Sequence, residues 1–549
     1  MKGIYSLLLI LFFSNVISAQ TNDWIWADGV GGTNFEKGQA ICTDNISGDI
    51  ISTGTFSSST IQFNGIVLTN QFAPNNDCFL VKYDYTGQVV WALSFGSNGF
   101  ESGLDVHCDN SGNIYVAGQF SSPTLIFDND TLVNNGVFDW FLVKFDTNGN
   151  YIWSRSGGGN ANENGVSLTS DVSGNIYMAG NFTSNDFSFG STTLTNYAGN
   201  SSDFFFLKFS SSGSPLWARE AGGTSNDYVN DITIDNSGYI YITGSFRSLL
   251  LVVSNLVLNN NTIITSDVFV LKYSLAGQIF DVSGYGGDLD DVGTDIDFNS
   301  NTGKVLLCGV FNSDTLQAIP YQIANSAYLT NDLFVMEING AGAVQWVISG
   351  GSTGNDAVEG AKYLASGNIY ITGSFVDTLS VGSQSQTSSG LNDIFLAELD
   401  SSGNCLQLNS AGGAGDDFSY DLAVHGGINA LIAGSYAVNA ATIGNFSLNN
   451  SGSSDIIIAE YGTTASVENA TDAITFNIYP NPSNGMVRIT SKSLIEAYSL
   501  FDYSGRMIKN EVINAYNADV TIEKAGLYFI RIKSGPTSLT RKLVVIEHQ

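Results

Sequence analysis

The stretch Ser173–Phe182, SGNIYMAGNF, decides how this chain is read, because it returns again and again. It reappears as SGNIYVAGQF from Ser111, SGYIYITGSF from Ser237 and SGNIYITGSF from Ser366. Weaker copies fill the gaps: SGDIISTGTF from Ser47, TGKVLLCGVF from Thr302 and GGINALIAGS from Gly426. A recurrence at about 60 residues marks a repeat architecture. One such unit is too small to bury its own apolar face, so neighbours must stack to make a core.

The residues around each copy predict the unit. Gly103 to Asp109 alternates as a half-buried strand and meets Asn113 to Phe120 through the turn DNSG. The connection that follows contains a small extra hairpin, seen in the first unit as TIQFNGIVLT with Asn64-Gly65 at its turn. Asp139 to Asp146, DWFLVKFD, is apolar on both faces and belongs inside a sheet. Tyr151-Ile152-Trp153 and the glycines of SRSGGG end the unit. Four strands in a meander make one propeller blade. Trp26, Trp91, Trp153, Trp217 and Trp346 recur at one place, with Asp281 and Gln407 in the other two units. Such a repeated Trp is expected to pack between blades.

Counting the innermost strands by their ends at Asp44, Asp109, Asp171, Asp235, Asn299, Leu364 and His425 predicts seven blades. The last unit stops at Asp455 to Tyr461 without a Trp strand, whereas the chain begins with a spare one, Asp23 to Asp28. Pairing those two would close the ring. On this register Ala40, Asp105, Ser167, Asp231, Asp295, Gly360 and Asp421 stand at one level of the channel. Asp105, Asp231, Asp295 and Asp421 are therefore candidate ligands for Ca²⁺ or another hard cation. The alternative is a ring of Asp side chains bonded to neighbouring backbone amides. No other cofactor is expected.

The units resemble the bacterial β-propeller repeat known as the SBBP repeat. SGNIYMAGNF, then FSFGSTTLT from Phe187, SDFFFLKFSSSG from Ser202 and LWAREAGG from Leu216 follow its pattern segment by segment. The resemblance covers about four-fifths of the chain. It implies a fold and no common activity.

Composition agrees with many short strands: the 549 residues are 43% hydrophobic and 13% charged, with 60 Gly. The net charge of −31 argues against nucleic acid and anionic membranes as partners. Close to half of the Lys and Arg lie beyond residue 465, where acids and bases nearly balance, which marks a domain boundary. Lys2, the apolar run Leu7 to Phe13 and the exit Ile17-Ser18-Ala19 read as a signal peptide over residues 1–19. No later run is long enough for a membrane span. Cys42, Cys78, Cys108, Cys308 and Cys405 are scattered and odd in number, which suits small buried hydrophobes; one bridge such as Cys42 to Cys108 is the alternative. His107, His425 and His548 fall in no metalloprotease pattern, and no nucleophile elbow, phosphate loop or dinucleotide fingerprint occurs. The protein is read as non-enzymatic.

After a propeller over 20–461 and a linker over 462–473, residues 474–549 change character. Ile474 to Thr490, Ala497 to Asn510 and Ala525 to Gly535 alternate between turn signals, predicting a small Ig-like β-sandwich. They resemble the type A C-terminal sorting domain of type IX secretion cargo in Bacteroidetes. The resemblance rests on Tyr479, Pro480, Asn481, Pro482 and Gly485, on Gly505 and Arg506, on Gly526, Tyr528 and Arg531, and on Lys542. It implies the type IX translocon and its sortase as partners, and a secreted or cell-surface location. It also implies O-glycosylation at Asp-Thr followed by an apolar residue, as at Thr131, Thr315 and Thr378. The whole is expected to be a monomeric, non-catalytic binding or adhesion module for an extracellular glycan or protein. A secreted polysaccharide hydrolase and a structural surface-layer component are the alternatives.

Overall fold

The computed structural model describes residues 22–199, 201–260, 264–437, 440–463, 476–481, 483–502, 507–522, 524–534 and 537–545. The expected signal peptide, most of the linker, and Pro482, Gly505 and Arg506 lie outside the described residues. The chain divides into two compact units, Met1–Thr464 and Ala465–Gln549.

The first unit is a ring of seven four-stranded antiparallel sheets. Blade 1 runs outward through Glu36–Thr43, Ile50–Phe56, Asp77–Tyr83 and Val89–Phe95. Blades 2 to 6 repeat that order over residues 101–157, 163–221, 227–285, 291–351 and 357–413. Blade 7 combines Asp417–His425, Asn429–Tyr436 and Asp455–Thr463 with the N-terminal strand Asn22–Val30 as its outermost member. Trp26 pairs Glu460 and Val30 pairs Ile456 in that clasp. The innermost strands of blades 1 and 7 pack side by side, so the ring is closed.

The recurrent phrase is now legible letter by letter. In blade 3 the Asp171 carboxylate accepts from the Ser173 and Asn175 amides, both at 3.0 Å, from Asn175 Nδ2 at 2.8 Å and from Tyr177 Oη at 3.0 Å. Burial alone would raise this carboxyl, but those bonds hold it below the usual range. Gly174 has φ of 76°, which the tight turn between the two strands needs. Gly180 is required by close approach: a Cβ there would lie 2.0 Å from the Asn164 carbonyl oxygen.

The third strand of blades 1, 2, 3 and 5 is buried at every residue, as expected from its two apolar faces. In blades 1 to 3 its Lys and the Trp of the fourth strand converge on one carbonyl of the next blade, as Lys82 and Trp91 do on Thr147 O. Lys144 Nζ and Trp153 Nε1 both donate to Ser211 O, and Lys208 and Trp217 both donate to Leu275 O. Each Trp also lies against a turn glycine of that next blade, as Trp153 does against Gly213. The repeated Trp is therefore packing between blades. The extra hairpins reach backward: Thr378–Val381 of blade 6 pairs with Gly350 and Gly351 of blade 5.

The second unit departs from a sandwich of two separate sheets. It is one curled five-stranded sheet. The 17-residue strand Met486–Asp502 carries register breaks between Thr490 and Ile495 and again at Ala497. Its first part pairs with Phe476–Tyr479, its second with Gly526–Ser534. Bulges bend strands, so the two halves close over one core that includes Val487, Ile489, Leu500, Ile530 and Leu543.

Candidate functional site

Every innermost strand has a register break just before the channel position singled out in the sequence, as at Gly103/Asp105 and Ser419/Asp421. These strands are sheet edges, so some of their amides have no ladder partner and face the neighbouring blade. Five such amides are met from across a seam. Ile41 N donates to Asp421 Oδ2 at 2.7 Å, Leu168 N to Asp105 Oδ2 at 2.6 Å and Ile232 N to Ser167 Oγ at 3.2 Å. Ile296 N donates to Asp231 Oδ2 at 2.9 Å and Ala361 N to Asp295 Oδ2 at 2.6 Å. The two remaining seams follow blades whose ring residues are Ala40 and Gly360, which offer no side-chain acceptor. There the Asp bonds its own following amide instead: Val106 N to Asp105 Oδ1 and Leu422 N to Asp421 Oδ1, both at 2.7 Å. All seven amides are satisfied.

Asp105, Asp231, Asp295 and Asp421 thus come together at a waist between two chambers. One chamber, of about 370 Å³, is lined by Gln39, Asn164, Asn230, Thr294, Glu359 and Tyr420 among others. The other, of about 350 Å³, reaches Cys42, His107, Cys108 and Lys362. The waist holds a cation supplied by the chain itself: Lys362 Nζ lies 2.8 Å from both oxygens of Asp295. Burial alone would lower Lys362, but Asp295, Asp231, Asp297 and Asp421 hold it well above the ordinary lysine range. Burial raises Asp105 to about 8, with Asp421 adding to the rise, and raises Asp421 itself to about 7. Asp231 is raised by burial and by Asp295; Asp295 would be raised by burial but is lowered by Lys362. Among the described residues no group of three or more His, Cys, Asp or Glu is arranged to hold a metal ion. Lys362 was not singled out in the sequence, because it stands two positions past the ring level, on the blade whose ring residue is Gly360.

A second set of acids lies at the blade seams. Asp77, first in the third strand of blade 1, faces Glu101, first in blade 2. The arrangement recurs as Asp139 with Glu163, Asp203 with Asp227, Asp267 with Asp291, Asp332 with Asp356, Asp393 with Asp417, and Asp455 with Glu36 at the closing seam. Burial, with the facing carboxylate adding to it, raises Asp77, Asp203, Asp291 and Asp356 to about 7. Asp77 Oδ1, Asp139 Oδ1 and Asp332 Oδ1 are buried without a hydrogen-bond partner, so protonation relieves a bare buried charge. A signal was available in the sequence: the two acids of each pair stand 24 residues apart in six of the seven cases.

The remaining candidates are dispersed. Thr131 and Thr378 are exposed and Thr315 is half-buried, each on a strand of an extra hairpin. The following Leu132, Leu316 and Leu379 are buried, so hairpin packing accounts for the apolar third residue of that motif. In the C-terminal unit Asn481 bonds the last strand twice, donating from Nδ2 to Lys542 O and accepting from Val544 N, both at 2.9 Å. Gly485 O accepts from Ile522 N at 2.7 Å, and Tyr528 Oη donates to Lys524 O at 2.9 Å. The Arg531 guanidinium lies 5.3 Å from the Phe501 ring centroid, while Lys542 is exposed. Tyr479, Pro480 and Gly526 are exposed as well.

Residues 477–546 match the family model of the secretion system C-terminal sorting domain, and residues 216–245 match that of the beta-propeller repeat. The chain is a β-propeller with a type IX sorting tail. The sorting domain marks the protein for secretion or cell-surface attachment. Among the described residues no helix is long and apolar enough to cross a membrane. An uncharacterized WD repeat-containing protein of Acanthamoeba polyphaga mimivirus is 23% identical over 42% of this chain and 19% of its own length. The regulatory protein FlaEY of Caulobacter vibrioides is 25% identical over 30% of this chain and 18% of its own. The chain thus spans less than a fifth of these curated relatives. Among solved structures, the Neurospora crassa Pan2 WD40 domain is 10% identical at a TM-score of 0.41, over 79% of this chain and 90% of that one. The surface component PorZ of the Porphyromonas gingivalis type-IX secretion system is 10% identical at 0.20, over 93% and 82%.

Proposed function

We propose that the exported propeller is a non-catalytic binding module that takes a polar extracellular ligand, a glycan or a protein segment, at the chamber bounded by the bulged residues. One observation carries this reading. The bulge positions are Gln39, Leu104, Val166, Asn230, Thr294, Glu359 and Tyr420, so they differ from blade to blade while the strands around them repeat. Function on a repeat scaffold lives in the positions that break the repeat. One side of the chamber is amphipathic: Lys37 Nζ sits 3.6 Å from the Tyr420 ring centroid, and burial raises Glu359 to about 7 while lowering Lys37 to about 8. An acid, amides and the polar edge of an aromatic ring suit sugar hydroxyls and peptide groups. The type IX translocon and its sortase are the partners during export, and an extracellular glycan or protein is the partner afterwards.

The test is a glycan and matrix-protein array probed with the full chain and with Tyr420→Ala and Glu359→Gln variants. Binding that both substitutions weaken at least tenfold supports the reading. Binding indifferent to both, or turnover of any polysaccharide by the purified chain, overturns it.

A further inference from the structure

The seam between blades 1 and 2 is one of two that lack a side-chain-to-amide tie at the waist, because Ala40 has no acceptor. Two positions beyond the ring residue, adjacent blades meet again in a repeated way. His107 of blade 2 reaches Ser170 Oγ of blade 3 at 2.8 Å, and the Asp297 carboxylate of blade 5 accepts from Tyr363 N of blade 6 at 2.9 Å. In each case the residue two past the ring position meets the residue three past it in the next blade. Between blades 1 and 2 those residues are Cys42 and Cys108, whose sulfurs stand 2.9 Å apart. A thiol is a weak donor, and two sulfurs that are not bonded do not rest so close.

We propose that Cys42 and Cys108 are joined as a disulfide in the exported protein, a covalent clamp on the channel face of a seam that has no side-chain tie at the waist. The fold already brings the two sulfurs together, so a bridge needs no large backbone movement. Export removes the chain from the reducing cytosol, and disulfides persist in such compartments. Both sulfurs line the second chamber, so a small thiol or disulfide reagent has a route to them. The oxidant is a thiol–disulfide exchange protein or small disulfide of the envelope. One thiolate attacks that disulfide to form a mixed disulfide, and the second displaces it. The Sγ–Sγ bond forms as the oxidant's S–S bond breaks, and the oxidant is released with its two sulfurs as thiols, carrying the two electrons and two protons. All five cysteines are free thiols in this structure; in the exported protein Cys78, Cys308 and Cys405, on strands of blades 1, 5 and 6, stay so.

Peptide mass mapping of the full chain recovered from the exporting cells, alkylated under denaturing conditions without reductant, decides the matter. The peptides holding residues 42 and 108 are expected joined and two hydrogens lighter than their sum, with the other three cysteines alkylated. A reductant is expected to lower the melting temperature by several degrees in the native chain and in Cys78→Ser, and to leave a Cys42→Ser/Cys108→Ser variant unmoved. Full alkylation of Cys42 and Cys108, or a link from either to another cysteine, overturns the proposal. Because mapping uses the native chain, it stands even where the double variant does not fold.

Discussion

The Ile41 amide of blade 1 donates to the Asp421 carboxylate of blade 7 at 2.7 Å, across 380 residues of chain. The same carboxylate caps Leu422 N with its other oxygen, so one side chain serves both seams of the last blade. Closure of the propeller therefore has two parts: the N-terminal strand on the outer edge and Asp421 on the inner one.

Asp421→Ala strips both amides of their acceptor. An orphaned buried donor costs about 1–3 kcal/mol, so the substitution is expected to destabilise by roughly 2–6 kcal/mol, read as a shifted denaturant midpoint. Asp421→Asn keeps one acceptor and should lose less. Equal stability of Asp421→Ala and the native chain would remove Asp421 from the closure.

Lys362→Met leaves the buried Asp295 carboxylate without its cation. Removing one partner of a buried pair costs about 3–5 kcal/mol. Lys362 is raised, so its contribution is present below the free lysine value and fades only as pH climbs through its higher folded value. Asp295 is lowered, so its contribution is present above the free carboxyl value and fades as pH falls through its lower folded one. The loss in Lys362→Met is thus expected to be large at pH 7 and to shrink as the solution is made acidic, where the stranded carboxylates take up protons. Denaturation curves of both proteins across pH 4–9 read the difference.

The seam acids set a slope of opposite sense. Asp77, Asp203, Asp291 and Asp356 have folded values near 7, above those of the free chain. The folded state therefore binds more protons between about pH 4 and 7, and stability falls as pH rises through that window. The melting temperature is expected to be several degrees higher at pH 5 than at pH 8. Asp77→Asn should flatten its share of the slope and stabilise at pH 8, a gain that a hydrogen-bonded, ionised Asp77 would not allow.

Gly180→Ala places a Cβ 2.0 Å from Asn164 O and 2.3 Å from Phe205 Cζ. A backbone oxygen cannot swing aside, so overpacking should cost about 1–3 kcal/mol or more, read by thermal melting. Ala117→Gly, one blade earlier and beside the equivalent glycine, serves as a control that adds no atom.

Asn481→Ala cuts both bonds from the opening motif of the sorting domain to its last strand. A loosened tail is expected to leave more protein inside the cell and less in the medium or on the surface, which immunoblots of the fractions read. Unchanged export would show that the motif is recognised without this clasp.

Much of this was present in the chain as text. The SGNIY phrase named the turn and its glycine, because those contacts are local. The spare Trp strand predicted the clasp, because strand pairing obeys a count. The four channel carboxylates were placed at one level by repeat arithmetic alone. The curled sheet of the tail was legible only as strands, since a bend within Met486–Asp502 leaves alternation intact on either side. What the tertiary structure decided is which repeat each side chain addresses. Asp421 meets Ile41 and Lys362 meets Asp295 over 380 and 67 residues of chain. Periodicity makes positions equivalent, but ring closure and the bulges aim each side chain across a seam, and only there do hydrogen bonds and charges find their partners.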